Sequence, residues 1–243
     1  MNVAVVLTAG GLSTRLGMGI KKEFFTFPDG KTVLSTCAES FLRFFLNTSN
    51  IKLSSLVITL PKHTLAEGEN VFYTGETEDL CKNLSVKPSF IEGGTSRQES
   101  VSNALNYISR TDTSCNAVLI HDAARPYAST ALIQRVIEGV QIHRSCVPVI
   151  QSTDTQKRID PESGCIISHL DRRSIVCVQT PQGFAFPEIL KAHQAAAVSA
   201  KTYTDDSEIW ADYFADDPEM ANVLSCEGEA VNKKITFSSD LSM

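Results

Sequence analysis

The sequence has no Cys-x-x-Cys pair, no low-complexity tract, no internal repeat and no excess of positive charge. It also has no apolar run near the roughly 20 residues that a bilayer-crossing helix requires. Each absence removes a class. Seven cysteines, at 37, 81, 115, 146, 165, 177 and 226, are scattered and odd in number. That speaks against a metal ribbon or an evenly paired disulfide framework, and for reduced thiols filling core space. Lys and Arg number 22 against 28 Asp and Glu, a net charge of -6. Non-specific nucleic-acid binding is therefore not expected, although a local basic pocket is compatible with this balance. No basic stretch precedes the apolar residues 3–7, which read as a first strand rather than a signal peptide. The expected compartment is the cytoplasm, with no membrane partner. What remains is ordinary globular composition, 42% hydrophobic and 21% charged over 243 residues. Such a chain can bury a large core and is read as a single domain over 1–243.

Residues 3–8 form a continuous β-branched run of the kind buried on both faces of a parallel sheet. Val33, Leu34, Cys37, Phe41, Leu42 and Phe45 recur at helical spacing over 32–46. Further strands are predicted at 56–60, 86–91, 117–120 and 146–150, with helices at 96–109 and 130–142 between them. Strands alternating with helices imply crossovers, hence an α/β fold with a doubly wound, mostly parallel sheet. The alternation stops near 151. A polar stretch to about 180, with a turn signal at Asp160-Pro161-Glu162-Ser163-Gly164, predicts a protruding hairpin. It has little core of its own and must pack on something, most naturally a second subunit. Helices are expected at 187–199 and 206–214, a last strand near 221–226, and a helix start at Ser238.

Open α/β sheets bind ligands beyond the carboxyl ends of their strands, so the residues just after each strand matter most. The first such loop, Ala9-Gly10-Gly11-Leu12-Ser13-Thr14-Arg15, suits a phosphate cradle, because adjacent glycines let backbone N–H groups approach an anion. It matches neither a P-loop nor a G-x-G-x-x-G fingerprint. The competing reading is a plain turn flanked by solvated bases. Gly93-Gly94-Thr95-Ser96-Arg97 and His121-Asp122-Ala123-Ala124-Arg125-Pro126 follow two later strands. Asp122, one residue past a predicted strand, can hold Mg²⁺ between phosphate oxygens or serve only as a cap. His121 is expected to be structural. Arg15, Lys21, Lys22, Arg97, Arg125, Lys157, Arg158, Arg172, Arg173, Lys233 and Lys234 fall largely in loops or the hairpin. Cations gathered in an acidic protein suggest a small, highly anionic ligand.

The run from Leu7 to Gly17 resembles the glycine-rich loop of nucleotidyltransferases that activate sugar phosphates. Four further segments narrow this: Glu92 to Val101, Val118 to Pro126, Gln179-Thr180-Pro181-Gln182 and Asn232-Lys233-Lys234-Ile235-Thr236. In this order and spacing the chain is similar to the 2-C-methyl-D-erythritol 4-phosphate cytidylyltransferase family. The resemblance implies a Rossmann-like fold, with 151–180 as a homodimerisation arm. It implies transfer from CTP to a polyol phosphate with release of pyrophosphate, and a divalent cation, Mg²⁺, as cofactor. Arg15 and Lys22 match the basic pair that stabilises the transition state, with Lys21 as the neighbouring rival to Lys22. Ala9, Gly10, Gly11, Gly94, Thr95, Ser100, Asp122 and Ala123 match nucleotide-binding positions, and Asp122 also matches the metal ligand. Arg125, Thr155, Arg172, Thr180 and Lys234 match positions around the polyol phosphate, Thr155 and Arg172 reaching a partner's site from the arm. Two other functions compete: a ribitol 5-phosphate cytidylyltransferase, and a non-catalytic nucleotide-binding homologue.

Overall fold

A computed structural model describes residues 1–11 and 21–241 of the chain. Strand β1 (Asn2–Thr8) sets the architecture. Val3, Val5 and Leu7 enter one apolar cluster while Ala4 and Val6 enter another, and all five are fully buried. A strand buried on both faces needs helices above and below it. Among the described residues the chain continues through α1 (Val33–Leu46), β2 (Lys52–Leu60), α2 (Leu65–Phe72), α3 (Thr77–Leu84), β3 (Ser89–Glu92), α4 (Arg97–Thr111), β4 (Ala117–Asp122), α5 (Thr130–His143) and β5 (Ser145–Gln151). It ends with β6 (Lys157–Ile159), β7 (Ile166–His169), β8 (Val176–Val178), β9 (Gln182–Ala185), α6 (Phe186–Ala197), α7 (Asp206–Tyr213), α8 (Pro218–Ala221) and β10 (Leu224–Glu227).

The main sheet has eight strands, in the order β10-β5-β9-β4-β1-β2-β3, with β8 pairing to β5. Strand β1 runs parallel to both β2 and β4, placing Thr8 beside Thr59 on one side and Asp122 on the other. The chain therefore winds outward in opposite directions from β1, leaving a crevice at the carboxyl ends of β1 and β4. On one face, α1 packs Leu34, Phe41 and Phe45 against the sheet. On the other, Val101, Leu105 and Ile108 of α4 meet Ile189 of α6 and Trp210 of α7. Side-chain caps fix the starts of α1, α4, α5 and α7. Thr32 and Ser35 cap α1 reciprocally, and Ser96, Ser129 and Asp205 accept from Glu99 N, Leu132 N and Glu208 N at 3.0–3.1 Å.

The doubly wound, mostly parallel sheet is as expected, with differences in its parts. Strand β4 extends through Asp122, so this carboxylate ends the strand rather than following it. Helices α2 and α3 occupy the stretch between the second and third strands, where no element was predicted. Strand β9 inserts antiparallel between β4 and β5, after a cis Thr180–Pro181 peptide. The C-terminal segment forms a short 3₁₀ turn, Ser238–Leu241, instead of an α-helix start. The predicted hairpin is present as the β6–β7 pair, its turn held by Asp160 Oδ1, which accepts from Glu162 N, Ser163 N and Ser163 Oγ. All seven cysteines are free thiols; Cys37, Cys81, Cys115 and Cys146 fill the core, whereas Cys165 and Cys177 are exposed on the arm segment. No helix among the described residues is long and apolar enough to cross a membrane.

Candidate active site

The carboxyl ends of β1, β2, β3 and β4 open into a cavity of about 660 Å³, lined by residues from all four post-strand segments and from the chain after β10. From β1 come Thr8, Gly10 and Gly11; from the segment before α1, Lys22 and Glu23. The turn after β3 supplies Gly93 to Arg97, and α4 adds Glu99 and Ser100. Asp122 closes the wall from β4, and Lys234 and Thr236 close it from the C-terminal segment.

Asp122 is the electrostatic centre. Its Oδ1 lies 3.2 Å from Arg97 Nε, and its Oδ2 lies 2.8 Å from Lys234 Nζ and 3.7 Å from Arg125 Nε. Burial alone raises a carboxyl pKa, but Arg97, Lys234 and Arg125 outweigh it and hold Asp122 well below the usual carboxylate range. Arg97 is itself braced from the far side. Its Nη2 lies 2.7 Å from Asp206 Oδ2, and Asp206 Oδ1 lies 3.2 Å from His193 Nε2. Asp206 is fully buried at the start of α7, so a line of charge runs from the cavity into the core.

His121 and Thr180 hold Asp122 from behind. His121 Nε2 lies 3.0 Å from the Arg125 carbonyl, which can only accept, so Nε2 carries the proton. Nδ1 is then the acceptor for the Thr180 hydroxyl at 2.9 Å, and Thr180 Oγ1 in turn accepts from Asp122 N at 3.1 Å. Burial pushes the His121 imidazole down to about 4, keeping it neutral in this chain of bonds. The structural role expected for His121 matches this geometry.

The glycine walls leave room for one side chain. Ser100 Oγ accepts from Gly94 N at 3.0 Å and donates to Ser96 O at 2.8 Å. A Cβ at Gly10 or Gly93 would stand 2.9 or 2.8 Å from that oxygen, so both positions require glycine for close approach. Thr95 donates both its N–H and its hydroxyl to Glu99 Oε2, at 2.6 and 2.7 Å.

The sequence-derived site residues divide as follows. Gly10, Gly11, Lys22, Gly94, Thr95, Ser100, Asp122 and Lys234 meet at the cavity. Ala9 and Ala123 are buried behind its wall, their amides donating to Thr59 O and Thr8 O. Arg125 and Thr180 reach it through Asp122 rather than lining it. Thr155 and Arg172 are exposed on the arm and do not line the cavity of their own chain. Arg15 lies outside the described residues. Of the paired lysines, Lys22 faces the cavity and donates to Ile235 O at 3.2 Å, whereas Lys21 turns to the backbone of the glycine loop. Lys234 pairs with Asp122, while its neighbour Lys233 pairs with Asp240. Of the basic residues at the cavity, Lys62 carried no expectation, and Arg97, named above among the loop cations, was assigned no role in the site. Both directly follow a strand or its turn, the position where ligand contacts concentrate. Asp206, far away in sequence, carries no local signal.

Among the described residues no three His, Cys, Asp or Glu side chains gather to cage a metal. The buried Asp122 carboxylate at this cavity fits Mg²⁺ as Mg²⁺ is commonly held on nucleotides, by one or two carboxylates with phosphate oxygens and water supplying most of its ligands.

A doubly wound sheet with adjacent glycines, lysines and the low-pKa carboxylate of Asp122 at its crevice defines an α/β nucleotide-binding protein of the nucleotidyltransferase kind. Family comparison sharpens this. The model of the IspD family, 2-C-methyl-D-erythritol 4-phosphate cytidylyltransferase, matches residues 3–243, and the chain belongs to that family. A Bacillus mycoides protein named 2-C-methyl-D-erythritol 4-phosphate cytidylyltransferase is 29% identical over 98% of this chain and 93% of its own length. The bifunctional enzyme IspD/IspF of Oleidesulfovibrio alaskensis is 30% identical over the whole chain, which spans only 57% of that relative. Of solved structures, the 2-C-methyl-D-erythritol 4-phosphate cytidylyltransferase of Thermus thermophilus superposes with a TM-score of 0.71 at 28% identity, over 99% of this chain and 96% of its own. The 4-diphosphocytidyl-2C-methyl-D-erythritol synthase of Anaerococcus prevotii, at 23% identity, shares the fold with a TM-score of 0.77 over 98% of this chain and 92% of its own.

Proposed function

We propose that the chain joins CTP to 2-C-methyl-D-erythritol 4-phosphate, giving 4-diphosphocytidyl-2-C-methyl-D-erythritol and pyrophosphate, in the non-mevalonate route to isoprenoid precursors. The observation that carries this is the convergence of Gly10, Gly11, Lys22, Asp122 and Lys234 on one cavity, in a chain matching the family from end to end. The polyol phosphate attacks the α-phosphorus of CTP in line, so the protein's work is positioning and charge stabilisation. Gly10 and Gly11 line the triphosphate end. Lys22, with Arg15, stabilises the charge that builds on the five-coordinate phosphorus. Gly94, Thr95 and Ser100, whose donors are fixed by Ser100, Glu99 and Ser96 respectively, form a rigid wall for the cytosine. Lys234 and Arg125 orient the incoming phosphate. Asp122 would hold Mg²⁺ together with phosphate oxygens; bound there, the ion supplies charge neutralisation. The arm makes the protein a homodimer, in which Thr155 and Arg172 reach the partner's cavity. Seven free thiols support a cytoplasmic setting.

Pyrophosphate release from CTP, measured across a panel of polyol phosphates, tests this reading. 2-C-methyl-D-erythritol 4-phosphate should give the highest kcat/KM. Faster reaction with ribitol 5-phosphate reassigns the substrate; no release with any polyol phosphate rejects catalysis.

A further inference from the structure

Two adjacent lysines precede α1, and they make different contacts. Lys22 lines the cavity. The Lys21 ammonium instead lies 2.5 Å from Ala9 O and 2.9 Å from Gly11 O, and Lys21 is not among the residues lining the cavity. Its side chain is only 14% exposed. An ammonium has three donors. Two go to these carbonyls, Glu23 Oε2 stands 3.7 Å away, and the Phe24 ring centroid is at 5.5 Å. With its donors committed to backbone, this group does not reach for a substrate.

The geometry fixes what the contact does. A trans peptide is planar, so the C=O of one residue and the N–H of the next point in opposite directions. Since the Ala9 carbonyl points at Lys21, the Gly10 N–H points away from it. Gly10 lines the cavity and Lys21 does not. The cation thus gathers the loop's carbonyls on its own side and presents an amide on the other. It also adds a fixed positive charge behind that amide, where a triphosphate would lie in front. Two carbonyls without this partner would have to find other donors or turn outward, and would then face the anion. Burial pulls the Lys21 pKa down, with Glu23 opposing this.

We propose that Lys21 is a positioning residue for the nucleotide: it clamps the glycine loop from behind and turns the Gly10 amide toward the triphosphate of CTP. This rests on the cytidylyl transfer proposed above. It separates the roles of the two lysines, Lys21 acting on CTP affinity through the loop and Lys22 on the chemical step.

The test uses the full chain and three measurements: CTP affinity by calorimetry without polyol phosphate, the KM of each substrate, and kcat. Wild type comes first. If it neither binds CTP nor releases pyrophosphate, the transfer reading falls, and this one with it. If wild type is active, Lys21→Met should weaken CTP binding and raise the KM for CTP roughly tenfold, the scale of a lost charged hydrogen bond. The KM for the polyol phosphate should stay within about twofold of wild type, since the Asp122–Lys234 side is untouched. Lys21→Arg, which keeps the charge and donors, should recover part of the CTP affinity. CTP affinity unchanged in Lys21→Met overturns the proposal. So does a loss confined to kcat, which would make Lys21 a catalytic group, and so does an equal rise in both KM values. Should Lys21→Met lack a cooperative melting transition, Lys21→Gln decides: weaker CTP binding in that folded variant supports the clamp, and wild-type binding overturns it.

Discussion

At the scale of single residues, the site works by holding charges apart from water but close to one another. Asp122 shows this best, since Arg97, Lys234 and Arg125 share one carboxylate and His121 holds the adjoining backbone without adding charge. The neutrality of His121 has a measurable consequence. Its folded pKa is about 4 against 6.5 for the free side chain. The unfolded chain therefore takes up a proton at higher pH than the folded one. This contribution to stability is complete above about pH 6.5 and is lost as pH falls toward 4, by roughly 3 kcal/mol over that window. Urea midpoints measured between pH 7 and 4.5 should drop for wild type and much less for His121→Gln, which keeps a donor and an acceptor but cannot titrate. Equal slopes would place the proton elsewhere. For Lys22 the expectation concerns rate. Lys22→Ala removes one contact to charge that develops during transfer and should lower the single-turnover rate by roughly 10²-fold. Near-normal turnover would remove Lys22 from the chemical step.

At the scale of elements, strand β9 shows how the sheet accommodates an antiparallel insertion. Gly183 lies under α5, and a Cβ there would sit 2.7 Å from both Val136 Cγ1 and Val140 Cγ2. Gly183→Ala should therefore force α5 off the sheet and cost roughly 1–3 kcal/mol, read as a lower urea midpoint with an unchanged slope. A midpoint equal to wild type would mean that the helix yields freely. This strand was also hard to foresee. Four residues, one of them glycine, carry no period of their own, and their β conformation depends on distant partners in β4 and β5. Helices α2 and α3 were equally silent, at eight residues each with only Gly68 and Phe72, and Thr77, Leu80 and Cys81, buried. By contrast, β1, α1, α4 and α5 were legible, because long apolar periodicity and Ser or Thr caps specify them locally. The site followed the same rule. Residues directly after strands could be picked out, since ligands gather there, and the partners that brace them, such as Asp206 and His193, could not.

For the whole molecule, the informative feature is the arm. The β6–β7 hairpin leaves Ile159, Ile166 and Ile167 between 56% and 57% exposed, and Thr155 and Arg172 stand on the same protruding stretch, away from the cavity of their own chain. Apolar side chains at this exposure on a hairpin without a core gain by packing against another surface. A two-fold dimer would cover them and carry each arm to the other chain's cavity. The two arrangements predict different outcomes when variants are combined. Suppose that Arg172 serves the partner's cavity while Lys22 serves its own. A dimer of one Arg172→Ala chain and one Lys22→Ala chain then has one site lacking both residues and one site with both. Random assortment makes half of the dimers mixed, so about a quarter of all sites are intact although each parent is impaired. Co-expression of the two variants should therefore restore about a quarter of wild-type pyrophosphate release. If Arg172 instead acts within its own chain, every chain carries its own defect and the mixture shows only the average of its parents; if it acts in no site, Arg172→Ala alone keeps wild-type release. Ile159→Ser combined with Ile167→Ser separates the arm's packing from its chemistry. That chain should sediment as a monomer and lose activity, and it should fail to complement Lys22→Ala even though its Arg172 is intact.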